Sequence, residues 1–344
     1  MQSERPKPLH RLCGRPMLLY VLDSLVDTDA DRAVIVVGHK GDWVAKKMLE
    51  HNHSIDIDFV EQRTQRGTGD ATMVGLVGLP DEDDDRDVIV LPGDAPLLRP
   101  GTIAELVAHH RRTGAAATLL TSVVDDATGY GRVVRNAAGT VERVVEHGDA
   151  SPEELEIDEI NTSIYCFRRS LLAPALRRIE PANVQGEHYL TDVVEVPSGT
   201  GHRVEAVVSH DGNETQGVND RVQLAAAEAE LRRRTNEGLL RSGVTMLDPA
   251  AVYIDTTVTV GQDVTLFPGV ILQGSTVIGD GSELGPNTRL VDCTVGSDCV
   301  IEQTTARAAT IGDRCCVGPY AVLDPGAELA PDVTTGPFYT AVTD

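Results

Sequence analysis

Asp94 lies in residues 91–98 (LPGDAPLL), a single carboxylate set after an apolar run and a glycine. In open α/β sheets ligands bind beyond the carboxyl ends of the strands, and a carboxylate there suits a cation or a polar substrate. Gln62 precedes Gly67, Thr68 and Gly69 in EQRTQRGTGDA. A glycine-bearing turn before a helix offers backbone N–H groups to an anion or a base edge, although an ordinary strand-to-helix turn has the same composition. Gly131, in the GYGR of 129–132, precedes a strand and leaves room for substrate against the backbone. Glu146 in VVEHGDA and Asn161 in EINTSIYCF are polar residues beside apolar strands. Asn219, in GVNDRVQL, is open to two readings, ligand or N-cap of the following helix.

The elements that must position these residues are legible as pattern. Residues 33–38 (AVIVVG), 55–60 and 87–91 (DVIVL) read as strands, with helices over 42–51 and 69–79 between them. Apolar strands separated by helices predict a layered α/β sheet, mostly parallel. Residues 220–240 (DRVQLAAAEAELRRRTNEGLL) predict one helix, a connector.

Beyond it an aliphatic residue recurs every six positions: Ile254, Val260, Leu266, Leu272, Ile278, Leu284 and Leu290. Four residues after each comes a small or β-branched residue, from Val258 and Val264 to Thr288 and Thr294. The pattern slips by one at Val295, continues at Ile301, breaks near Ala308, and resumes at Ile311, Val317, Leu323 and Leu329. No helix presents a period of six on one face, whereas a triangular coil with six-residue sides does; similarity to hexapeptide-repeat proteins implies a left-handed β-helix.

The formal charge of −23 sets a nucleic-acid backbone or an anionic membrane against this chain, so neither is expected as a partner. A phosphorylated small substrate remains compatible if a metal ion and local cations offset the field. The six cysteines (Cys13, Cys166, Cys293, Cys299, Cys315, Cys316) show no C-x-x-C spacing and read as small hydrophobes in a reducing compartment. No run approaches the ~18 apolar residues of a membrane span. The first 20 residues lack a signal-peptide core, so a cytoplasmic protein is expected. Acyl transfer by the repeat region is not supported. It contains no His or Lys, and over 246–344 three Arg face thirteen acidic residues.

Taken in order, the segments resemble the bacterial bifunctional N-acetylglucosamine-1-phosphate uridylyltransferase and glucosamine-1-phosphate acetyltransferase family, in its uridylyltransferase part. The resemblance rests on PKPLHRLCGRPML, the Gln-x-x-Gln-x-Gly-Thr-Gly segment, the strand-end Gly-Asp, GYGR, NVQGEHYLTD and GVNDR. It implies a Rossmann-like nucleotidyltransferase domain that makes UDP-N-acetylglucosamine, a peptidoglycan precursor, from UTP and the sugar phosphate. It also implies site roles. Gln62, Gly67 and Thr68 would recognise uracil; Asp94 and Asn219 would hold Mg²⁺; Lys7 would pair with phosphate. Gly131, Glu146, Asn161 and Asn219 would contact substrate, and a homotrimer would form through the β-helix.

The expected organisation is a nucleotidyltransferase domain over 1–219, a connector helix over 220–245, the β-helix over 246–336 and a tail over 337–344. The family opens with a strand and a glycine-rich phosphate loop, and Met1 falls where that motif's final Met stands. The expectation is an internal start in a longer reading frame, or a fragment. The family's acetyltransferase residues lie in further coils past Asp344. Two rival readings stand beside this one: transfer to another sugar-1-phosphate, and a non-catalytic oligomerising relative.

Overall fold

The computed structural model describes residues 1–51, 55–80 and 86–341. Its contacts form two compact units. Met1–His10 and Met17–Asn219 make the first; Arg11–Pro16 and the chain from Asp220 onward make the second. The strands β1 (Arg11–Leu12) and β2 (Arg15–Pro16) therefore belong to the second unit although they lie near the start of the chain.

The first unit runs α1 (Met17–Asp23), β3 (Arg32–Val37), α2 (Gly41–Leu49), β4 (Asp56–Glu61), α3 (Thr68–Val77), β5 (Asp87–Val90), α4 (Pro100–Thr113) and β6 (Ala117–Val123). It continues with β7 (Arg132–Arg135), β8 (Val141–Val145), α5 (Pro152–Leu155), β9 (Glu159–Arg168), α6 (Arg169–Leu176), α7 (Asp192–Gly199) and β10 (Val204–Val208). The five elements read from the apolar runs are present as β3, α2, β4, α3 and β5.

Parallel pairing joins β3 to β4 and β10 to β6. The larger sheet has the order β10-β6-β9-β7-β8, with β5 also on β9, and β9 runs antiparallel to β5, β6 and β7. Alternate residues of its central strands face opposite layers, as the pleat requires. Leu119, Tyr165 and Phe167 pack with Leu172, Val193 and Val194 of α6 and α7. Leu120, Ile164 and Cys166 pack with Ile103, Leu106 and Val107 of α4. Among the described residues β3 pairs only with β4 and β5 only with β9, so each presents one edge without a strand. The apolar residues 33–37 are half-buried there.

In the second unit α8 (Arg221–Arg241) begins at Asp220, whose carboxylate caps it by accepting from the Gln223 N–H at 2.8 Å. The remainder is a β-helix, with three parallel sheets of five, six and five short strands. Each coil edge puts one aliphatic residue inside: Leu266, Leu272, Ile278, Leu284, Leu290, Val295 and Ile301 are essentially unexposed. This is the left-handed hexapeptide architecture the period implied.

Two details differ from the sequence pattern. The repeat does not break near Ala308; Ala306 is the inward residue, 1% exposed, on an edge shortened to five residues. A methyl group fills the narrowed coil but does not register as aliphatic in a periodicity count. After the slip the inner small position is Cys293, not Thr294, which is exposed. Cys293, Cys299 and Cys315 all occupy such positions, as small buried hydrophobes should; Cys316 is exposed. Nor is the tail separate throughout. Thr340–Ala341 pairs in parallel with Val322–Leu323, and the Phe338 ring stacks on Tyr320 with centroids 5.2 Å apart. No helix among the described residues is long and apolar enough to cross a membrane.

Candidate active site

Three segments far apart in sequence meet at the end of β5. Asp94 follows the Pro92-Gly93 turn, and its carbonyl accepts from the Val218 N–H at 2.8 Å. That bond ties the strand end to residues 217–219. Gly217 lies beside Asp94: a Cβ there would stand 3.5 Å from Asp94 Oδ1, an ordinary van der Waals contact. Lys7 opens a short 3₁₀ turn, Lys7–Leu9, entered from Pro6. Its ammonium donates to Asp94 Oδ2 and, at 2.7 Å, to Asn219 Oδ1. Asp220 is the helix cap, so Asn219 does not fill that role, and its side chain turns to Lys7 instead. Two oxygens thus converge on one cation.

A second group surrounds the turn into α3. Gln62 follows β4; its N–H donates to the Val37 carbonyl at 2.8 Å and its side-chain amide to Asp70 Oδ2 at 2.7 Å. Gly67 has φ of 105°, a conformation that favours glycine, and a Cβ there would lie 2.5 Å from the His188 carbonyl oxygen. Residues 188–190 clamp the turn. The Gly69 N–H donates to the His188 carbonyl at 2.8 Å, and Thr68 Oγ1 accepts from the Leu190 N–H at 3.0 Å. Gly67→Ala combines backbone strain with a clash against main chain and is expected to cost about 2 kcal/mol, read as a lowered urea midpoint at unchanged slope.

The third group is Gly131, Glu146 and Asn161. The Gly131 carbonyl accepts from the Asn161 N–H at 2.9 Å, and a Gly131 Cβ would stand 3.4 Å from Glu146 Oε2. Glu146 accepts from the Thr191 hydroxyl at 3.0 Å, and burial raises its pKa. Asn161 sits where the β6–β9 register shifts: Leu120 pairs with Ile164 but Thr121 with Asn161, and Ser163 has φ of 61°. Such a bulge re-aims the side chains beside it. The Asn161 side chain, 4% exposed, donates to the Tyr165 hydroxyl at 2.7 Å, while its Oδ1 has no hydrogen-bond partner among the described residues. A buried orphan acceptor is uncommon in a folded protein and is accounted for when a ligand donor reaches it.

Sequence reasoning missed Thr191, Tyr165 and Gly217. Thr191 belongs to the NVQGEHYLTD string, but nothing in its spacing shows that Leu190 would serve the glycine turn and Thr191 the Glu146 carboxylate.

Residues 1–212 match the nucleotidyl transferase family. The chain belongs to that family. It is 45% identical over 299 residues to the bifunctional protein GlmU of Thermobifida fusca, covering 86% of this chain and 61% of that protein. It is 44% identical over 297 residues to the GlmU of Mycolicibacterium vanbaalenii (86% and 60%), and 41% over 295 residues to that of Caldanaerobacter subterraneus (86% and 63%). The chain thus spans about three-fifths of the length of these curated relatives. Among solved structures it is similar to apo-UDP-glucose pyrophosphorylase, with a TM-score of 0.53 at 12% identity, covering 67% of this chain and 91% of that one. At that identity the likeness shows the nucleotidyltransferase fold alone.

Asp192, beside the third group, has its carboxyl raised to about 6, by burial first and then by Glu146 and Glu195. The folded state holds this proton more tightly than the unfolded chain does. Its contribution is therefore most favourable below the ordinary carboxylate range and is lost as pH rises through about 6. Asp192→Asn is expected to stabilise the protein by about 0.5–1 kcal/mol at pH 7.5, after solvent screening and loss of a charge at a helix N-terminus. Near pH 4 the gain should vanish, a contrast that paired thermal melts would read.

Proposed function

We propose that this chain transfers UMP from UTP to N-acetylglucosamine-1-phosphate, giving UDP-N-acetylglucosamine and pyrophosphate. The observation that carries the reading is the convergence of Asp94 and Asn219 on the Lys7 ammonium at the end of β5. A nucleotidyl transferase fold needs charge neutralisation at that place, because the reaction brings phosphate groups together. The donor pair fits Mg²⁺, a hard cation that takes carboxylate and amide oxygens. Asp94 and Asn219 would hold the ion, which when bound would supply positive charge against the phosphates.

The chain's own residues then divide the work. A phosphate oxygen of the sugar phosphate attacks the α-phosphorus of UTP; the new P–O bond forms as the bond to the α–β bridging oxygen breaks, and pyrophosphate leaves with that electron pair. No protein nucleophile is required, so the protein contributes position and charge. Lys7 exchanges its contacts with Asp94 and Asn219 for phosphate oxygens. Gln62 and the backbone at Gly67 and Thr68 face the base. Gly131, Glu146 and Asn161 receive the amino sugar, with Asn161 Oδ1 supplying the acceptor that has no partner among the described residues. The segment 188–191 joins base and sugar walls through neighbouring residues, Leu190 on Thr68 and Thr191 on Glu146. The β-helix serves as a trimerising, cytoplasmic scaffold in this reading.

Pyrophosphate release with UTP, N-acetylglucosamine-1-phosphate and Mg²⁺ tests the assignment, run on this chain and on a form extended upstream in frame. Preference for glucose-1-phosphate in the same panel would overturn the sugar assignment. No release from either form would favour a non-catalytic relative.

A further inference from the structure

Asp87, His110 and Cys166 meet at the opposite end of β5 from Asp94, and nothing in the proposed transfer uses them. Asp87 opens β5, His110 lies in the last turn of α4, and Cys166 lies on β9 in register with Ile89 and Thr118. One ligand atom from each lies within 4.8 Å of the other two. His110 and Cys166 are 2% and 0% exposed.

We propose that Asp87 Oδ1, His110 Nε2 and Cys166 Sγ supply three ligands of a site for a divalent transition metal of the zinc type. The donor set is one oxygen, one imidazole nitrogen and one sulfur, which suits a borderline ion and not the hard Mg²⁺. The His110–Asp87 spacing suits it as well. His110 Nε2 is 3.3 Å from Asp87 Oδ1. That is long for a charge-assisted hydrogen bond, which runs about 2.7–2.9 Å. It equals the edge of a tetrahedron whose bonds are about 2.0–2.1 Å.

The surroundings orient both ligands, as outer groups do around metals. His110 Nδ1 lies 2.8 Å from Thr118 Oγ1; with the hydroxyl accepting, Nδ1 carries the proton and Nε2 keeps its lone pair toward the site. Arg111 Nε donates to the other carboxylate oxygen, Asp87 Oδ2, at 3.0 Å. Asp29 in turn accepts from both terminal nitrogens of Arg111, at 3.0 and 3.1 Å. Charge closes too. Binding replaces the Cys166 S–H proton, which leaves to solvent, and thiolate plus carboxylate then offset the two charges of the ion in a buried place. The ion would fasten β5, α4 and β9, three elements distant in sequence.

Co²⁺ added to the chelator-treated chain is the test. The wild type is expected to show a thiolate-to-cobalt charge-transfer band in the near ultraviolet, saturating at one equivalent and displaced by Zn²⁺. Cys166→Ser should abolish the band, while Cys299→Ser, which removes a buried thiol of the β-helix, should leave it. Thr118→Val keeps all three ligands but frees His110 Nδ1, and should weaken Co²⁺ binding roughly tenfold or more. That variant decides the matter if Cys166→Ser does not fold. Absence of the band in the wild type, its survival in Cys166→Ser, or an unchanged affinity in Thr118→Val would overturn the site.

Discussion

If the proposed uridylyl transfer is this chain's reaction and Asp94 holds its metal ion, replacing Asp94 with alanine is expected to lower turnover by roughly 10³-fold, since one preorganised charge-stabilising group is commonly worth 10²–10³ and a metal ligand at least as much. The fold should survive. The Lys7–Asp94 pair is partly exposed, and such pairs contribute about 1 kcal/mol or less. Lys7 also retains its second partner, Asn219 Oδ1. The diagnostic measurement is therefore a pair: pyrophosphate release against Mg²⁺ concentration, and a thermal melt. A loss of activity with a melt within a few degrees of wild type places Asp94 in the chemistry. An equal collapse of both would make it structural, and retained activity would remove the convergence at β5 as the basis of the assignment.

Leu284→Asp should have the largest effect on stability. Leu284 is 0% exposed and sits in the stack between Leu266 and Ile301 of the adjoining coils. An aspartate there leaves an unpaired carboxylate among aliphatic side chains, a loss of more than about 4 kcal/mol. Stability in stacked coils depends on each neighbour, so the damage should spread to both adjoining turns. Amide exchange over residues 265–301 would report it as lost protection. Glu283→Ala, one residue earlier on the exposed side, should stay within about 0.5 kcal/mol. Equal protection in the two variants would mean that the inward stack does not hold the coils.

The β-helix was readable because its period is incompatible with the alternatives and is repeated many times. It became unreadable where side chains shrank. Ala306 fills an inward position without looking aliphatic, and Cys293 holds the place that counting assigned to Thr294. In the first unit, β3 and β5 announced themselves as continuous β-branched runs and β4 as an alternating one, but their order and partners did not. The antiparallel strand β9 carries both Asn161 and the bulge that aims it, and a bulge depends on pairing partners rather than on local composition. Asn219 illustrates a different limit. Ligand and N-cap looked equally good until the next residue, Asp220, was seen to cap α8. Thr191 and Tyr165 hold Glu146 and Asn161 through single hydrogen bonds that leave no trace in spacing.

The six residues Arg11–Pro16 carry one more consequence. They lie in the first tenth of the chain, yet the Cys13 N–H donates to Glu228 of α8 at 2.8 Å, and its carbonyl accepts from the Thr256 N–H at 3.1 Å. The polypeptide therefore enters the second unit, leaves it and enters again. Cutting the coding sequence after the codon for Asn219 would not yield two whole modules, because one product would keep a strand pair that has lost its partners and the other would lack it. Exchange of this β-helix between proteins by a single recombination event is disfavoured for the same reason.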